Sequence, residues 1–282
     1  MDNERIRALI AETFDSTPGN FVSKEAALRP DLEGLRLFDA PIFGVAAADD
    51  PIFTDFQKPG VIGPWHKTPL EHMPSAKSVL SVCLPFSERV RASNRTETHT
   101  GSHEWMHARM EGQDFQNAFV KALRKRLSNE GVSACVPMLD GVFRSFNYGK
   151  GLEAYPDVSE NTFTSNWSER HAAYAAGLGT FGLSKGLITE RGIAVRFSSL
   201  ILDCALTPTP RAYSGVYDYC TRCGACAKRC PVHAISLETG KAHVPCHEHV
   251  QGTARDWRIG CGLCQTDVPC EKGIPEGAKR LF

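Results

Sequence analysis

The chain has 282 residues, of which 42% are apolar and 23% charged, and its 32 lysines and arginines balance 32 aspartates and glutamates. A net charge of zero argues against a nucleic acid or an anionic membrane as the main partner. No apolar run approaches the roughly 20 residues that a membrane helix needs. The first residues carry acidic side chains, without a signal-peptide core or a twin-arginine pair, so we expect a cytoplasmic protein.

Strand-like runs and a helical pattern alternate along the first part of the chain. Ile42 to Ala46 and Val79 to Leu84 are short apolar runs bounded by proline, aspartate or serine, as is typical of buried strands. From about residue 104 to residue 129, large apolar side chains recur every four positions, which predicts a helix that ends at Gly131. Three segments lack either pattern and are expected to be loops: 14–34, 86–103 and 147–165.

A second helix and two further strands follow. Val132 to Val136 and the alternating residues from Ile193 to Ser199 predict strands. Between them, the residues from about Trp167 to Ala176 predict a helix that stops at Gly177. The candidate N-cap residues of this helix are Ser165, Asn166 and Ser168.

The cysteines divide the chain into two predicted domains. Eight of the eleven lie between Cys220 and Cys270. The scattered ones, which are expected to be ordinary buried residues, are Cys83, Cys135 and Cys204. In a reducing compartment such clustering indicates metal binding rather than disulfides. We therefore expect an α/β or α+β core over residues 1–209 and a metal-binding domain over residues 210–282, joined near 207–213.

The run CTRCGACAKRCP is the motif that holds iron–sulfur clusters in bacterial ferredoxins, where the last cysteine ligates a different cluster from the first three. Applying this crossover divides the eight cysteines into two ligand sets. The first set is Cys220, Cys223, Cys226 and Cys270, and the second set is Cys230, Cys246, Cys261 and Cys264. Two [4Fe–4S] clusters in one ferredoxin-like domain would form a relay for single electrons.

Structural zinc is the alternative for these cysteines, because paired CxxC motifs also hold zinc ions. A run of three cysteines followed by Cys-Pro is a poor match to zinc spacing. One irregularity concerns Cys270, which follows Cys264 after five residues where a ferredoxin repeat has three, and which is preceded rather than followed by proline. The assignment of Cys270 therefore stays open at the sequence level.

The segment GLGTFG fits the dinucleotide fingerprint G-x-G-x-x-G through Gly177, Gly179 and Gly182. That fingerprint binds pyrophosphate when it follows a strand and opens a helix. Here the predicted order is inverted, with a helix before the glycines and strand-like residues after them. We therefore expect a glycine turn that lets the backbone approach a flat or bulky neighbour.

A second motif, H-E-x-x-H, is formed by His103, Glu104 and His107. On a helix it would place two histidines on one face for zinc, with the glutamate as a base. Glu111 is too close in sequence to be a familiar third ligand. A solvated polar helix start is the favoured interpretation, and a zinc hydrolase is the alternative.

The stretch WSERHAAYAAGLGTFGLSKGLIT, followed by a strand and the eight-cysteine module, resembles the epoxyqueuosine reductase family and its relatives, the reductive dehalogenases. The upstream MPSAKSVLSVCLPF also resembles the segment that leads into a strand in these families. The resemblance spans about residues 40 to 275. It implies a nitroreductase-like α/β core that binds cobalamin, and a C-terminal ferredoxin-like module whose two [4Fe–4S] clusters reduce the cobalt.

The chain departs from the family in one catalytic position. Epoxyqueuosine reductases carry a proton-donating aspartate shortly before the helix that leads into A-G-L-G, where this chain has Phe163 and Thr164. The tRNA-binding repeats of longer members are also missing, so tRNA is not the expected substrate. We expect a small organic substrate and a ferredoxin- or flavodoxin-type electron donor.

The resemblance and the local residue types suggest site residues around the second helix. Candidate catalytic residues are Glu169, His171 and Tyr174. Candidate cofactor-binding residues are Asn166, Trp167, Ser168, Arg170, Gly177, Leu178, Gly179 and Arg196. Among these, Arg170 can orient an anion, and Arg196 can meet a cofactor amide or phosphate. A solvated helix face or an N-terminal dipole contact is the plain alternative for residues such as Glu169.

Three functions compete at the sequence level. The first is an iron–sulfur reductase that uses cobalamin to reduce a small organic substrate. The second is a non-catalytic corrinoid-binding or electron-transfer protein, which the missing aspartate favours. The third keeps the clusters and places FMN in the core, because nitroreductase-like folds commonly hold a flavin.

Overall fold

The computed structural model describes residues 1–156, 158–159 and 162–282. The helices are α1 (Asn3–Ser16), α2 (Ile52–Asp55), α3 (Pro69–His72), α4 (Glu88–Arg95), α5 (His103–Asn129), α6 (Glu169–Ala175), α7 (Ala225–Lys228) and α8 (His243–Gly252). The strands are β1 (Ile42–Ala47), β2 (Ser78–Pro85), β3 (Ala134–Cys135), β4 (Ser145–Asn147), β5 (Phe163–Ser165), β6 (Gly179–Phe181), β7 (Leu187–Thr189), β8 (Val195–Leu202), β9 (Ile235–Ser236) and β10 (Gly240–Lys241). No helix in this described part of the chain is long and apolar enough to cross a lipid bilayer.

A four-stranded antiparallel sheet forms the centre of the core, with the strand order β1-β2-β8-β3. Every residue of β2 is buried, because both faces of the sheet are covered. Successive residues of a strand point to opposite faces. Val82 and Leu200 join the apolar core beneath α1 and α5, whereas Cys83 and Ile201 join the core beneath α6. The predicted mixed α/β core is thereby confirmed.

Both predicted helices are present, with α5 beginning one residue before the predicted residue 104 and α6 spanning Glu169–Ala175 within the predicted 167–176. The Ser102 hydroxyl accepts a hydrogen bond from the Trp105 backbone N–H at 3.1 Å, which caps the first turn of α5. Ser168 is the N-cap of α6, with its hydroxyl 3.4 Å from the backbone nitrogen of His171. Gly177 follows α6 with a φ of 79°, a conformation that glycine adopts without strain.

The expected loops are in part wrong. Segment 86–103 contains α4, segment 14–34 contains the last turn of α1 and a 3-10 turn at Pro30–Leu32, and segment 147–165 ends in β5. Helix α4 escaped the sequence analysis because Val90 is its only large apolar residue. Strand β5 is short and half exposed, so it carries no alternating pattern. Residues 157, 160 and 161 of the third segment lie outside the described residues.

Strand β1 and the end of α6 approach each other at Gly44. A Cβ atom at this position would lie 2.1 Å from the carbonyl oxygen of Ala176. We expect Gly44→Ala to lower the free energy of unfolding by about 1–3 kcal/mol, since backbone must move to make room. Urea unfolding measures the loss.

Gly252→Ala is the matched control for this substitution. Its Cβ would meet no atom within 4 Å, and its φ is not positive. Equal destabilisation by the two substitutions would contradict the packing argument.

The C-terminal residues fold directly against α4 and the start of α5. Arg95 Nε donates to both carboxylate oxygens of Glu271, at 3.0 and 3.1 Å. The Asn94 side-chain amide donates to the carbonyl oxygen of Cys261 at 3.2 Å. Glu271 is buried, and its ion pair with Arg95 contributes to a pKa below the usual range despite the opposing effect of burial. The cysteine-bearing loops are therefore fixed against the core.

Candidate functional site

The eight C-terminal cysteines form two groups in space, and each group surrounds its own void. Cys220, Cys223, Cys226 and Cys270 line a small, apolar void. Cys230, Cys246, Cys261 and Cys264 line a larger cavity of about 590 Å³. These groups, named quartet A and quartet B, have the same members as the two ligand sets expected from the ferredoxin crossover. Ligation itself stays a prediction.

The thiols of each quartet oppose one another's ionisation. Burial raises the pKa of Cys270 to about 12, and Cys226 of the same quartet adds to this rise. Burial likewise raises the pKa of Cys261 to about 12, with Cys264 adding to it. Such gathered thiols become thiolates when a metal cation offsets their charge. Each quartet therefore has the chemistry of a metal-binding site.

The spacing within the quartets bears on the kind of metal group. Among the described residues, no set of three or more His, Cys, Asp and Glu side chains converges closely enough to hold a single metal ion. A [4Fe–4S] cluster requires no such convergence, because each cysteine binds a different iron. The quartets are thus compatible with the larger cluster.

A glycine turn shapes quartet B. Gly262 has a φ of 67°, in the left-handed region that favours glycine. A Cβ atom there would lie 1.9 Å from the indole of Trp105. The turn between Cys261 and Cys264 therefore depends on a residue without a side chain, in agreement with the sequence analysis.

The 590 Å³ cavity lies between the core and quartet B. Its size falls in the range typical of small-molecule sites. Helix α5 contributes one continuous face, the start of α6 contributes another wall, and Arg196 enters from β8. The residues of α5 on this face are Trp105, Arg109, Gln113, Gln116, Asn117 and Val120.

Five of the sequence-predicted residues line this cavity: Trp167, Ser168, Glu169, Arg170 and Arg196. Trp167 is nearly fully buried, and its indole N–H donates to the hydroxyl of Ser199 at 2.9 Å. Arg170 keeps accessible surface, although burial by surrounding protein lowers its pKa. The structure thus brings together the residues around the start of α6 and the first half of β8.

The other predicted residues do not line the cavity: Asn166, His171, Tyr174, Gly177, Leu178 and Gly179. Asn166 holds the preceding hairpin, accepting from the backbone of Arg144 and donating to the carbonyl of Val142, each at 2.8 Å. The glycines shape the turn from α6 into β6, which is the inverted order expected for GLGTFG. Their cofactor-binding role stays a prediction.

His171 and Tyr174 point away from the cavity because they lie on other faces of α6. The His171 ring packs between Phe56 and Phe181, and burial lowers its pKa to about 3. The ring is therefore neutral at physiological pH. Tyr174 packs against Tyr213, and burial raises its pKa. Glu169 is the one catalytic candidate on the cavity wall.

Glu169 is a buried carboxyl without a charged partner. Neither of its carboxylate oxygens has a hydrogen-bond partner among the described residues, and both are buried. Burial raises its pKa to about 8, against an opposing effect of the nearby Ser199 and Trp167. The carboxyl is thus mostly protonated at neutral pH, as a general acid requires.

The H-E-x-x-H residues are engaged elsewhere. His107 Nε2 accepts a hydrogen bond from the backbone of Leu28 at 3.2 Å, and its Nδ1 lies 3.0 Å from Glu111. Both ring nitrogens are therefore occupied. His103 lies against Arg255, with 2.9 Å between their nitrogens. The expected solvated helix start is therefore wrong, because Glu104 and His107 are buried and hold the start of α5 against the rest of the protein.

The sequence analysis missed the polar face of α5. It identified the apolar face of this helix but assigned nothing to Arg109, Gln113, Gln116 and Asn117, which recur at helical spacing on the cavity side. The apolar face of α5 packs against the core, and its polar face, which carries several side-chain amides, borders the cavity. That polar face was the available signal.

Lys241 lies on the cavity wall beside quartet B. Burial by itself would lower its pKa, but the neighbouring Cys264 and Cys246 raise it above the usual value. Hydrogen bonds and charge near a cluster's sulfurs raise its reduction potential. We expect Lys241→Met to lower the midpoint potential of one cluster by on the order of tens of millivolts.

An anaerobic redox titration followed by electron paramagnetic resonance measures this potential. Lys24→Met, at an exposed position outside both quartets and the cavity, is the control and should leave it unchanged. Equal potentials in Lys241→Met and the unmodified protein would contradict the role given to this ammonium.

Comparison with known proteins connects this geometry to two groups of enzymes. Residues 215–236 match the 4Fe-4S binding domain family. The chain is 32% identical over 75 residues to trichloroethene reductive dehalogenase of Dehalococcoides mccartyi, which covers 25% of this chain and 14% of that protein. It is 30% identical over 119 residues to epoxyqueuosine reductase of a Synechococcus species. This match covers 36% of this chain and 34% of that enzyme.

A solved reductive dehalogenase, described for B12-dependent dehalogenation, superposes with a TM-score of 0.51 at 16% identity, covering 83% of this chain and 30% of that one. At 16% identity this similarity shows a likeness of fold alone. The matched segments span about a third or less of each of these proteins. The resemblance drawn from the A-G-L-G segment and the cysteines is confirmed, as is a C-terminal 4Fe-4S binding domain.

Proposed function

We propose that this chain is an iron–sulfur reductase that passes single electrons through two [4Fe–4S] clusters to a cobalamin in the 590 Å³ cavity, for the reduction of a small organic substrate. The observation that supports this proposal is that quartet B forms part of the wall of that cavity. A cluster held there would border the bound cofactor directly. The proposed domains are residues 1–209 and 210–282.

The two quartets differ in their access to solvent, which gives the relay a direction. Cys223 of quartet A is exposed, whereas Cys230 of quartet B is buried. Cys226 and Cys264 lie close enough for their charges to interact, so the quartets are neighbours. Electrons would therefore enter at quartet A from a ferredoxin- or flavodoxin-type donor and leave from quartet B into the cavity.

The α5 wall of the cavity suits a corrinoid. Gln113, Gln116 and Asn117 place side-chain amides there; the two glutamine oxygens hold Arg196, and the remaining amide hydrogens can donate, while Ser168 adds a hydroxyl. A corrinoid carries many amide groups on its rim, which pair with such donors and acceptors. When bound, reduced cobalamin supplies a strong nucleophile or one-electron donor. Glu169 holds a proton at neutral pH, and the arginines orient charged groups.

Anaerobic reconstitution followed by metal analysis and absorbance spectroscopy tests the proposal. We expect about eight irons per chain and stoichiometric uptake of cobalamin. A matched preparation with FMN instead of cobalamin is the control for the flavin alternative. Eight irons with no corrinoid uptake would overturn the proposal, and uptake without turnover under reduced ferredoxin would favour the non-catalytic carrier.

A further inference from the structure

One side of the cavity carries an organised pair of arginines. Arg109 lies on the polar face of α5, and Arg196 reaches the same face from β8. Arg196 Nε donates to Gln116 Oε1 at 3.0 Å, and its terminal nitrogen donates to Gln113 Oε1. The two glutamines therefore fix the direction of the Arg196 guanidinium. The remaining N–H groups at the end of this planar guanidinium match a carboxylate or phosphate.

These arginines have no acidic partner within the described part of the chain. Arg109 donates to the carbonyl of Ile259 and to the sulfur of Met110, each at 3.1 Å, and both acceptors are neutral. The hydrogen bonds of Arg196 go to neutral amides. Glu169 is the carboxyl on the cavity wall, and its raised pKa leaves it mostly uncharged at neutral pH.

The other cations of the cavity face the cysteines. Arg170 interacts with Cys264, and Lys241 interacts with Cys264 and Cys246. These two cations would offset the negative charge of thiolates that bind a cluster. Arg109 and Arg196 have no such partner among the described residues, so their positive charges stay uncompensated.

Arg109 and Arg170 also repel Arg196. Burial, together with these two neighbouring cations, lowers the pKa of Arg196 to about 10. Keeping like charges together in a partly buried site costs free energy, which a bound anion recovers. A bound anion would therefore stabilise this part of the cavity.

From the cavity, the fixed guanidinium and the surplus charge, we propose that Arg109 and Arg196 bind one carboxylate or phosphate group of the ligand. In the proposed reductase this group anchors an anionic organic substrate, an assignment that rests on the proposed function. The same chemistry is present in the phosphate of a cobalamin nucleotide. The test separates these two sources.

Calorimetric titration of the anaerobically reconstituted full chain with benzoate and with benzamide tests the site. The two probes have nearly the same shape and differ in charge. We expect benzoate to bind at least about tenfold more tightly, and Arg196→Gln or Arg109→Gln to remove about a tenfold advantage while benzamide binding stays unchanged. Arg126→Gln, on the same helix outside the cavity, is the matched control and keeps the unmodified affinities.

Equal affinity for the two probes, or unchanged benzoate binding in Arg196→Gln, would overturn the proposal. Arg196→Lys keeps the positive charge and loses the planar guanidinium, so we expect a smaller loss of benzoate affinity than in Arg196→Gln. This variant also tests the proposal if Arg196→Gln folds poorly. The comparison of the probes on the unmodified chain requires no variant.

Preloading with corrinoids identifies the source of the anion. Unchanged benzoate affinity in the cobalamin-loaded chain assigns the site to the substrate. Loss of benzoate binding with cobalamin, but not with cobinamide, which lacks the nucleotide phosphate, assigns it to the cofactor. Arginine-dependent benzoate binding in a chain that takes up no corrinoid would uphold the anion site and defeat the proposed function.

Discussion

We expect Cys264→Ala to remove one of the two proposed clusters, so that the iron content falls from about eight to about four per chain and electron delivery to the cavity stops. Cys264 belongs to quartet B on the cavity wall, and three thiolates hold a four-iron cluster poorly. Reductase turnover should fall by about a thousandfold or more, to the background of the free reductant. Iron analysis and turnover with reduced ferredoxin measure the two effects.

Cys270→Ala provides a second test of the ligand sets, because Cys270 lies in quartet A. It should also lower the iron content by half, while the remaining paramagnetic signal comes from the other cluster. Cys204→Ala, outside both quartets, is the control and keeps all the iron. Identical residual spectra in Cys264→Ala and Cys270→Ala would contradict the division into two sets.

Glu169→Gln is expected to remove a proton donor and a pH dependence of stability. With any substrate that the unmodified chain reduces, turnover should fall by about 10²- to 10⁴-fold, and the loss of activity near pH 8 should vanish from the rate profile. Glu169→Asp keeps a carboxyl and should restore part of the activity. Turnover of Glu169→Gln equal to that of the unmodified chain would remove Glu169 from the mechanism.

The stability measurement requires no substrate. The Glu169 pKa is about 8 in the folded chain, against an ordinary value of 4.5, so between these pH values the folded state binds more protons than the unfolded state. The free energy of unfolding therefore falls as the pH rises from about 4.5 to about 8. Glutamine cannot ionise, so the stability of Glu169→Gln relative to the unmodified chain should rise over this interval. A constant difference would show that the carboxyl is not desolvated.

The sequence predicted the elements that carry strong local signals. The apolar runs of β1 and β2 and the four-residue spacing of α5 identify their elements, because burial imposes a period on the residues that it selects. The N-cap Ser168 and the terminating Gly177 identify the ends of α6, because capping uses short-range hydrogen bonds. Helix α4 had no such signal, since its polar residues are held by contacts with distant parts of the chain, such as Arg95 with Glu271.

The features of the candidate site also fall into those that the sequence predicted and those that only the tertiary structure identified. The cysteine spacing indicated iron–sulfur chemistry, and the ferredoxin crossover predicted two ligand sets with Cys270 left open, because thiolate type and local spacing are properties of the chain. The sequence could not predict the raised pKa of Glu169, because this pKa depends on the residues that exclude water from the carboxyl. The arginine pair required the tertiary structure as well, since Arg109 and Arg196 meet only when β8 packs beside α5.

Sequence alone therefore determined which chemical groups the protein has and which local elements present them. Only the tertiary structure decided which groups share a cavity, which of them lose water and which charges stay uncompensated. The physical reason is that ligand type, capping and periodicity act over a few residues, whereas desolvation and electrostatic balance are set by residues far apart in the chain.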